Sequence, residues 1–357
     1  MPKADESSAA TGVSGMEDDP SRALESRRGN AVDARGETAD SNSGGQSGEF
    51  PKVMVLVITY NVEAWIGDLL ETLGKQDYGS FTVCIVDDAS SDRTVERAQI
   101  SCRSNQWVIS NATNRGRCAT IDSLIPFHPQ YKYVVLVNAA ALPNPSFLSN
   151  LVNFAESIGE SFGGATPRIL DRETMEPYVA LPTRGITNFL RSSVLGLGRR
   201  NDLPKDSQPS FEVNSFWGCA CILSAKMVDD FRFDEKLWIF GEEEDLAVRA
   251  ARAGYKFYWT NVTSIPYKAG ASTTDERGVT PTRMYYGLRN RVYLALKYYG
   301  LFEAIVVILA GTVYSCFVSL KRPALFYQIL RAMAWNAVRM GCTLNEREMW
   351  HSPSAVT

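Results

Sequence analysis

The chain has 357 residues, a formal net charge of −3, two histidines and seven cysteines. This length allows one large core or two small ones, and the content of 45% apolar and 22% charged residues is ordinary for a globular protein. Two histidines effectively exclude a histidine-built zinc site. The cysteines show no CxxC spacing, which favours buried free thiols in a reducing compartment.

The two ends of the chain differ in charge. Residues 1–50 carry 5 basic and 10 acidic residues, a net −5, with scarcely any large apolar side chain. Such a segment cannot bury enough surface to offset its ordering entropy, so we predict a disordered acidic tail. Residues 282–350 carry 9 basic and 3 acidic residues, a net +6. This excess indicates a phosphate or anionic-membrane partner rather than nucleic acid, because the basic residues form no cluster of their own.

From Val53 onward, apolar runs of strand length alternate with segments of helical periodicity. Strands are expected at residues 53–58, 82–86, 106–110 and 133–137, with helices at 63–76, 92–101 and 145–156. This alternation predicts an α/β fold, a Rossmann-like sheet with helices on both faces. Ligands of such sheets bind at the carboxyl ends of the strands. Further along, residues 182–211 are loop-rich, residues 241–254 have the pattern of a helix, and residues 255–260 have that of a strand.

Three polar segments could carry chemistry. Four acids open the helix at 241–254; they either complement its dipole, with Asp245 pairing Arg249, or include a general base. Segment 87–94 (DDASSDRT) is either a capped turn or a carboxylate that binds a nucleotide base or ribose. Segment 114–120 (NRGRCAT) is either a plain turn or a glycine loop near phosphate. No GxGxxG follows the first strand, which disfavours a dinucleotide-binding fold.

Taken in order, the motifs of the chain resemble those of family 2 glycosyltransferases of the GT-A fold, particularly the rhamnosyltransferase-like branch. They are VITYNVEAWI, VDDASSDRT, NRGR, VNAAALPNPSFLSNL, GGATPRIL, FDEKLWIFGEEEDLAVRAARAGYKF, GAST and YYGLRNR, between residues 53 and 297. The resemblance implies a GT-A domain with a mixed sheet over 51–298, followed by a membrane-associated helical region over 299–357. It implies transfer of a hexosyl group from a nucleoside diphosphate sugar to a lipid-linked or cell-surface glycan, with inversion.

The resemblance also assigns roles by position. Glu243 would be the base that takes the acceptor proton, with Glu242 as the second choice. The positions that would bind the donor are Thr59, Tyr60, Asn61, Glu63, Asp87, Asp88, Gly116, Arg117 and Asn138. Candidates for contacts with phosphate or acceptor are Gly218, Asp245, Lys268, Arg289 and Arg291.

The metal-binding positions depart from the family pattern. The second aspartate of the DxD-like motif, a ligand of Mg²⁺ or Mn²⁺, falls on Ala140, and a histidine of many relatives is replaced by Tyr267. Alanine offers no oxygen ligand to a hard cation. Because metal clamps contribute several kcal/mol, we expect transfer to be slowed about a thousandfold or more, at ~1.4 kcal/mol for each factor of ten.

Three explanations of Ala140 stay open. It replaces an aspartate in an otherwise ordinary family member, whose segment would read VNADALPNPSF. Alternatively, Asn138, Glu242 and the substrate phosphates hold a cation without position 140. Lastly, the protein is a catalytically silent, membrane-associated protein that binds a nucleotide sugar.

The carboxyl-terminal segment has the composition of a membrane-associated region. Residues 301–320 form a 20-residue apolar run with one charge, Glu303, long enough to span a bilayer. Residues 324–340 have the pattern of an amphipathic interfacial helix. We expect a membrane-seated hairpin at the cytoplasmic face of the cell membrane, since no signal peptide opens the chain. A single span, or a helical pair that caps the sheet, are the alternatives. A membrane seat would suit an acceptor linked to polyprenyl phosphate.

Overall fold

The structure of the chain is a computed structural model. The structure describes residues 50–124, 130–177, 210–270, 274–275, 278–299 and 301–351. Residues 1–49 of the predicted acidic tail and most of the predicted loop at 182–211 therefore lie outside the described residues.

The described strands form one large sheet and a small hairpin. Their bounds are β1 (Val53–Thr59), β2 (Phe81–Asp87), β3 (Gln106–Ser110), β4 (Tyr133–Val137), β5 (Phe162–Asp171), β6 (Ser210–Val213), β7 (Ala220–Ser224), β8 (Lys256–Tyr267), β9 (Thr274–Asp275) and β10 (Gly278–Val279). The 8-stranded sheet has the order β3-β2-β1-β4-β7-β5-β8-β6. Strands β1 to β4 are mutually parallel, whereas β7 runs antiparallel to both of its neighbours, β4 and β5. The predicted mixed α/β architecture is confirmed.

Nine α-helices accompany these strands in the described ranges. They are α1 (Ile66–Leu73), α2 (Thr94–Ser101), α3 (Arg117–Asp122), α4 (Phe147–Ile158), α5 (Ala225–Phe231), α6 (Glu242–Arg252), α7 (Pro281–Tyr298), α8 (Leu301–Lys321) and α9 (Phe326–His351). Helix α7 was not predicted from periodicity. It begins where the Thr280 hydroxyl accepts a hydrogen bond from Arg283 N at 3.2 Å and Pro281 occupies the first turn.

The apolar runs of the sequence form strands of a sheet that is buried on both faces. Six of the seven residues of β1 are buried, including the consecutive run from Val53 to Val57, because both faces of the strand are covered. Helix α1 buries Ile66, Leu69, Leu70 and Leu73 on its predicted apolar face. Each such side chain contributes about 1.5–3 kcal/mol on burial.

The carboxyl-terminal helices form a second cluster. Helices α7, α8 and α9 pack together through a group of buried apolar side chains that includes Leu288, Val292, Val307 and Ile329. Along the described residues, we find no helix with both the length and the apolarity needed to cross a bilayer.

The parallel strands bring their carboxyl ends to one edge. Thr59 at the end of β1 lies opposite Asp87 at the end of β2. Because β7 is antiparallel to β4, the residues just before β7 lie at this same edge, beside Asn138. We call this edge the rim; it contains the ends of β1, β2 and β4 and the approach to β7.

Candidate active site

The loops that follow β1 and β2 are tied together by side chains predicted to bind a donor. The Thr59 hydroxyl donates to Asp87 Oδ1 at 2.9 Å, and Ser90 N–H donates to Asp87 Oδ2 at 2.8 Å. Asn61, held at a left-handed φ of 51°, accepts from Ser91 N–H at 2.8 Å. Two carboxylate oxygens of Asp87 are therefore held at a strand end, as a base- or ribose-binding group needs to be.

Glu63 and Tyr60 complete this pair of loops. Glu63 Oε2 accepts from Arg93 N–H at 2.9 Å, and Glu63 N–H donates to Asp92 Oδ2 at 3.1 Å. Tyr60 is exposed on the same loop. The contacts of Glu63 hold the shape of the loop, whereas Tyr60 is presented to solvent.

Asp88 anchors the glycine loop. Its buried carboxylate accepts from Asn111 Nδ2, Arg115 N–H and Gly116 N–H, each at 2.9 Å. Gly116 has a φ of +83°, and a Cβ there would lie 2.3 Å from Trp238 Cδ1. Glycine is required at this position both by the left-handed backbone and by the close approach of the indole.

The glycine loop leads directly to the acids of α6. Arg117 Nε lies 3.1 Å from Glu242 Oε1, and Arg117 Nη2 donates to Gly218 O at 2.6 Å. Gly218 N–H in turn donates to Glu243 Oε1 at 3.2 Å. A Cβ on Gly218 would lie 2.5 Å from that same oxygen. That Cβ would also lie 2.7 Å from Arg117 Nη2, so the absence of a side chain at Gly218 allows both Arg117 and Glu243 to approach this backbone segment.

The two adjacent glutamates occupy different environments. Glu242 is buried, and its Oε2 has no hydrogen-bond partner among the described residues. Burial, followed by the charge of Glu243, raises the pKa of Glu242 to about 8, although Arg117 opposes the shift. Glu243 is only half-buried. The raised pKa favours the neutral form of Glu242, whereas Glu243 is the member of the pair that reaches the solvent.

Ala140 lies in the middle of the rim. Asn138 N–H donates to Cys219 O at 2.8 Å, which places the end of β4 beside the segment that contacts Arg117 and Glu243. Ala140 itself is 0% exposed. Lys268 N–H donates to Ala140 O at 3.3 Å, and Ala141 forms an isolated bridge with Tyr267. The two positions that depart from the family's metal-binding pattern are therefore neighbours in space.

The residues at the rim do not fit a preassembled cation site. Among the described residues, no group of three His, Cys, Asp or Glu side chains is arranged to hold a metal ion. The methyl group of Ala140 cannot ligate, and Asn138 Oδ1 already accepts from Ala140 N–H at 3.3 Å.

Two of the predicted phosphate or acceptor residues lie in helix interfaces. Asp245 is completely buried and contacts Arg249, Lys297 and Tyr298. Burial alone would raise the pKa of Asp245, but the charges of Arg249 and Lys297 lower it below its ordinary value. These contacts fasten α6 to α7, so the structure favours the i,i+4 pairing with Arg249 over an acceptor role.

Arg289 is likewise enclosed. It donates to Leu237 O at 3.0 Å, and its guanidinium lies 4.5 Å from the ring centroids of both Tyr286 and Trp335. This placement does not favour the predicted phosphate contact. Arg291 is half-buried on the same helix, α7.

Trp238 is a site residue that the sequence did not reveal. Its indole fills the space left by Gly116, its backbone O accepts from Cys118 N–H at 3.2 Å, and its ring stacks on Tyr286 at 4.6 Å. A tryptophan between two apolar residues looks like an ordinary core residue, and only the motif position of Gly116 could have suggested a partner.

Residues 54–205 match the family described as "Glycosyl transferase family 2". No curated protein matches significantly. Among solved structures, GalNAc-T7 with UDP, GalNAc and Mn²⁺ shares 11% identity at a TM-score of 0.51, covering 72% of this chain and 49% of that one.

Two further solved structures match over more of their own length. The mannosyltransferase PcManGT from Pyrobaculum calidifontis, in complex with GDP-Man and Mn²⁺, shares 17% identity (TM-score 0.49; 89% of this chain, 82% of that chain). S. aureus TarS 1-349 with UDP shares 20% identity (TM-score 0.46; 75% and 71%). The rhamnosyltransferase-like branch is not singled out and stays a prediction. Residues 54–205 therefore match glycosyltransferase family 2, and the described sheet has the GT-A fold.

Proposed function

We propose that the chain transfers a hexosyl group from a nucleoside diphosphate sugar to an acceptor hydroxyl, with inversion at the anomeric carbon. One observation carries the proposal: Asp88, Gly116, Arg117, Glu242, Gly218 and Glu243 form a continuous series of contacts along the rim. A series of this kind can bind the nucleotide at one end and supply a base at the other.

Each group would have a distinct task. Asp87 and the loop of Thr59, Tyr60 and Asn61 would bind the base or ribose. Glu243 would accept the proton of the acceptor hydroxyl as its oxygen attacks the anomeric carbon and the bond to the diphosphate breaks. The leaving diphosphate would depart on the opposite face, which inverts the anomeric configuration.

Position 140 bears on the rate of this reaction. GalNAc-T7 was solved with Mn²⁺, whereas here an alanine occupies the DxD-like position. We expect transfer by this chain to be slowed about a thousandfold relative to Ala140→Asp, the cost of losing ~4 kcal/mol of transition-state stabilisation. Assays of both proteins with Mg²⁺ and with Mn²⁺ test this expectation. Equal rates would show that Ala140 is harmless.

The donor is the first unknown to resolve. A thermal-shift screen of nucleoside diphosphate sugars on Ala140→Asp should find one that raises the melting temperature, since a ligand at 100 times its Kd stabilises by about 2.7 kcal/mol. Transfer from that donor is then measured with lipid-linked and glycan acceptors. Release of pyrophosphate rather than nucleoside diphosphate would instead indicate a nucleotidyltransferase.

The outward face of α8 supports a membrane-seated acceptor. Phe302, Leu309, Val313 and Leu320 recur along one side of this helix and are 60–79% exposed. Ala304, Val307, Ser315 and Ser319 are buried on its other side. Large apolar side chains on the exposed side, with the hydroxyl residues Ser315 and Ser319 on the buried side, depart from the usual amphipathic pattern. We therefore propose that α8 lies against the cytoplasmic leaflet, where the net positive charge of residues 282–350 favours anionic lipid.

Flotation with phosphatidylcholine–phosphatidylglycerol vesicles tests this position of α8. The full chain should float with the vesicles, and Leu309→Glu with Val313→Glu should abolish flotation. Ile100→Glu, which changes an exposed apolar residue on α2, should have no effect. Complete partition of the unaltered protein into the soluble fraction at moderate salt, without detergent, would contradict membrane seating.

The second candidate function is a catalytically silent nucleotide-sugar-binding protein at the membrane. The buried methyl group of Ala140 favours this second function, because the rim can bind a nucleotide without a carboxylate at position 140, whereas a metal-assisted departure of the diphosphate needs that ligand. Calorimetry with nucleoside diphosphates separates the two functions. Binding without turnover, even in Ala140→Asp, supports the silent protein.

A further inference from the structure

Two basic residues, Lys268 and Arg117, lie near residues 138–140 at the rim. Lys268 is held by its own backbone N–H, which donates to Ala140 O at 3.3 Å. Arg117 Nη2 donates to Gly218 O at 2.6 Å, and the adjacent Cys219 O accepts from Asn138 N–H at 2.8 Å. Lys268 thus contacts, through its backbone, the short segment where the family pattern would place a metal ligand, and Arg117 contacts the segment that lies beside it.

A diphosphate bound at this segment needs positive charge from some source. Ala140 cannot recruit a cation, and the neighbouring departure at Tyr267 removes the second expected ligand position. Tyr267 is the last residue of β8, and the basic residue Lys268 follows it directly. An ammonium group binds phosphate oxygens through charge-assisted hydrogen bonds.

We propose that Lys268, together with Arg117, binds the donor diphosphate in place of a divalent cation, so that this chain binds nucleoside diphosphate without metal. The proposal rests on the proposed function, because it assumes that the rim is the donor site. It concerns binding; a single ammonium group does not supply the full assistance to leaving-group departure that a divalent cation supplies.

The present contacts of both residues are compatible with this role. Lys268 Nζ lies 2.5 Å from Glu173 Oε1, and the Glu173 side chain is 68% exposed. Ion pairs this close to solvent contribute little, so a diphosphate with several negative charges can displace Glu173. Arg117 is oriented by Glu242, whose Oε1 lies 3.1 Å from Arg117 Nε, and its Nη2 reaches Gly218 O beside residues 138–140.

The chain offers a matched control for Lys268. Lys132 also pairs with a glutamate, Glu156, at 2.7 Å. It directly precedes β4 and therefore lies at the opposite end of the strand that leads to Asn138 and Ala140. Lys268→Met and Lys132→Met each remove one ammonium group from an ion pair with a glutamate, but only Lys268 is bonded through its backbone to Ala140.

Titration calorimetry of the full chain with UDP, GDP and dTDP, in EDTA and again with MnCl₂, tests the proposal. At least one nucleotide should bind in EDTA, with less than a threefold gain from Mn²⁺. Lys268→Met should weaken that binding about tenfold, Lys268→Arg should retain most of it, and Lys132→Met should leave it unchanged. Lys268→Met should weaken binding of the corresponding nucleoside monophosphate less than it weakens binding of the diphosphate.

Three results would overturn the proposal: no binding of any of these nucleotides in EDTA, binding that appears only with Mn²⁺, or equal effects of Lys268→Met and Lys132→Met. Its failure is separable from failure of the proposed function. Sugar transfer that requires Mn²⁺ would support the proposed transferase function and contradict the metal-free diphosphate site. Metal-free binding without transfer to any acceptor would support the metal-free site and contradict the transferase function.

Discussion

Arg117 Nε and Glu242 Oε1 are 3.1 Å apart, and this ion pair joins the glycine loop anchored by Asp88 to the helix that carries Glu243. The pair is almost fully enclosed, with side-chain exposures of 15% and 3%. It fixes the distance between the Asp88 end and the Glu243 end of the rim.

Removing Arg117 should destabilise the fold through this pair. We expect Arg117→Met to cost about 2 kcal/mol in the free energy of unfolding, less than the ~3–5 kcal/mol typical of a broken buried pair, because Glu242 can take up a proton. Urea unfolding of Arg117→Met, Glu242→Leu and the double variant gives the coupling energy. A sum of single effects equal to the double effect would contradict a direct interaction.

Glu243 should be needed for turnover but not for folding. Glu243→Gln preserves size while removing the base, so kcat should fall by about 10²–10⁴-fold with little change in donor affinity. The rate is measured with saturating donor, and the melting temperature serves as the control. An unchanged kcat in Glu243→Gln would show that another residue is the base, and Glu242 would be the next residue to test.

Gly116 and Gly159 form a matched pair of glycines. Their φ angles are +83° and +80°, but only at Gly116 would a Cβ meet another residue, Trp238. Both alanine variants should lose about 1 kcal/mol of the free energy of unfolding, because alanine is strained at a positive φ. Gly116→Ala should lose a further ~1–3 kcal/mol, because its methyl group would overpack against Trp238. Only Gly116→Ala should also weaken donor binding. Equal losses in urea unfolding would show that the indole moves aside freely.

Stability should depend on pH through Glu242. The pKa of its side chain is raised from 4.5 to about 8 by burial first and by Glu243 second. Between these values the folded state binds more protons than the unfolded state, so stability falls as pH rises through that window, by at most ~1.4 kcal/mol per pH unit.

Glu242→Gln tests this dependence because it keeps a neutral side chain at all pH values. The free energy of unfolding of Glu242→Gln should vary less between pH 5 and pH 8 than that of the unaltered chain. Glu71→Gln, an exposed change on α1, is the control. A curve for Glu242→Gln that parallels the unaltered one would rule out Glu242 as the source.

The sequence by itself determined strands β1 to β4, helices α1, α2, α4 and α6, and the order of the motifs that resemble family 2 glycosyltransferases. Strand-length apolar runs and the apolar stripe of α1 are local signals, since each depends on only a few neighbouring residues. The positions of Asp87, Gly116, Ala140 and Glu243 could be assigned for the same reason, because motifs are read along the chain.

Only the tertiary structure decided which of these residues meet and which of the acids are enclosed. Glu242 and Asp245 lie in the same acidic run, yet one faces Arg117 at the rim and the other is bound by Lys297 from α7. Their partners are 125 and 52 positions away in the sequence, a separation that local periodicity cannot bridge. The contact of Lys268 with Ala140 and that of Trp238 with Gly116 arise in the same way, because burial and long-range pairing are set by how the elements pack.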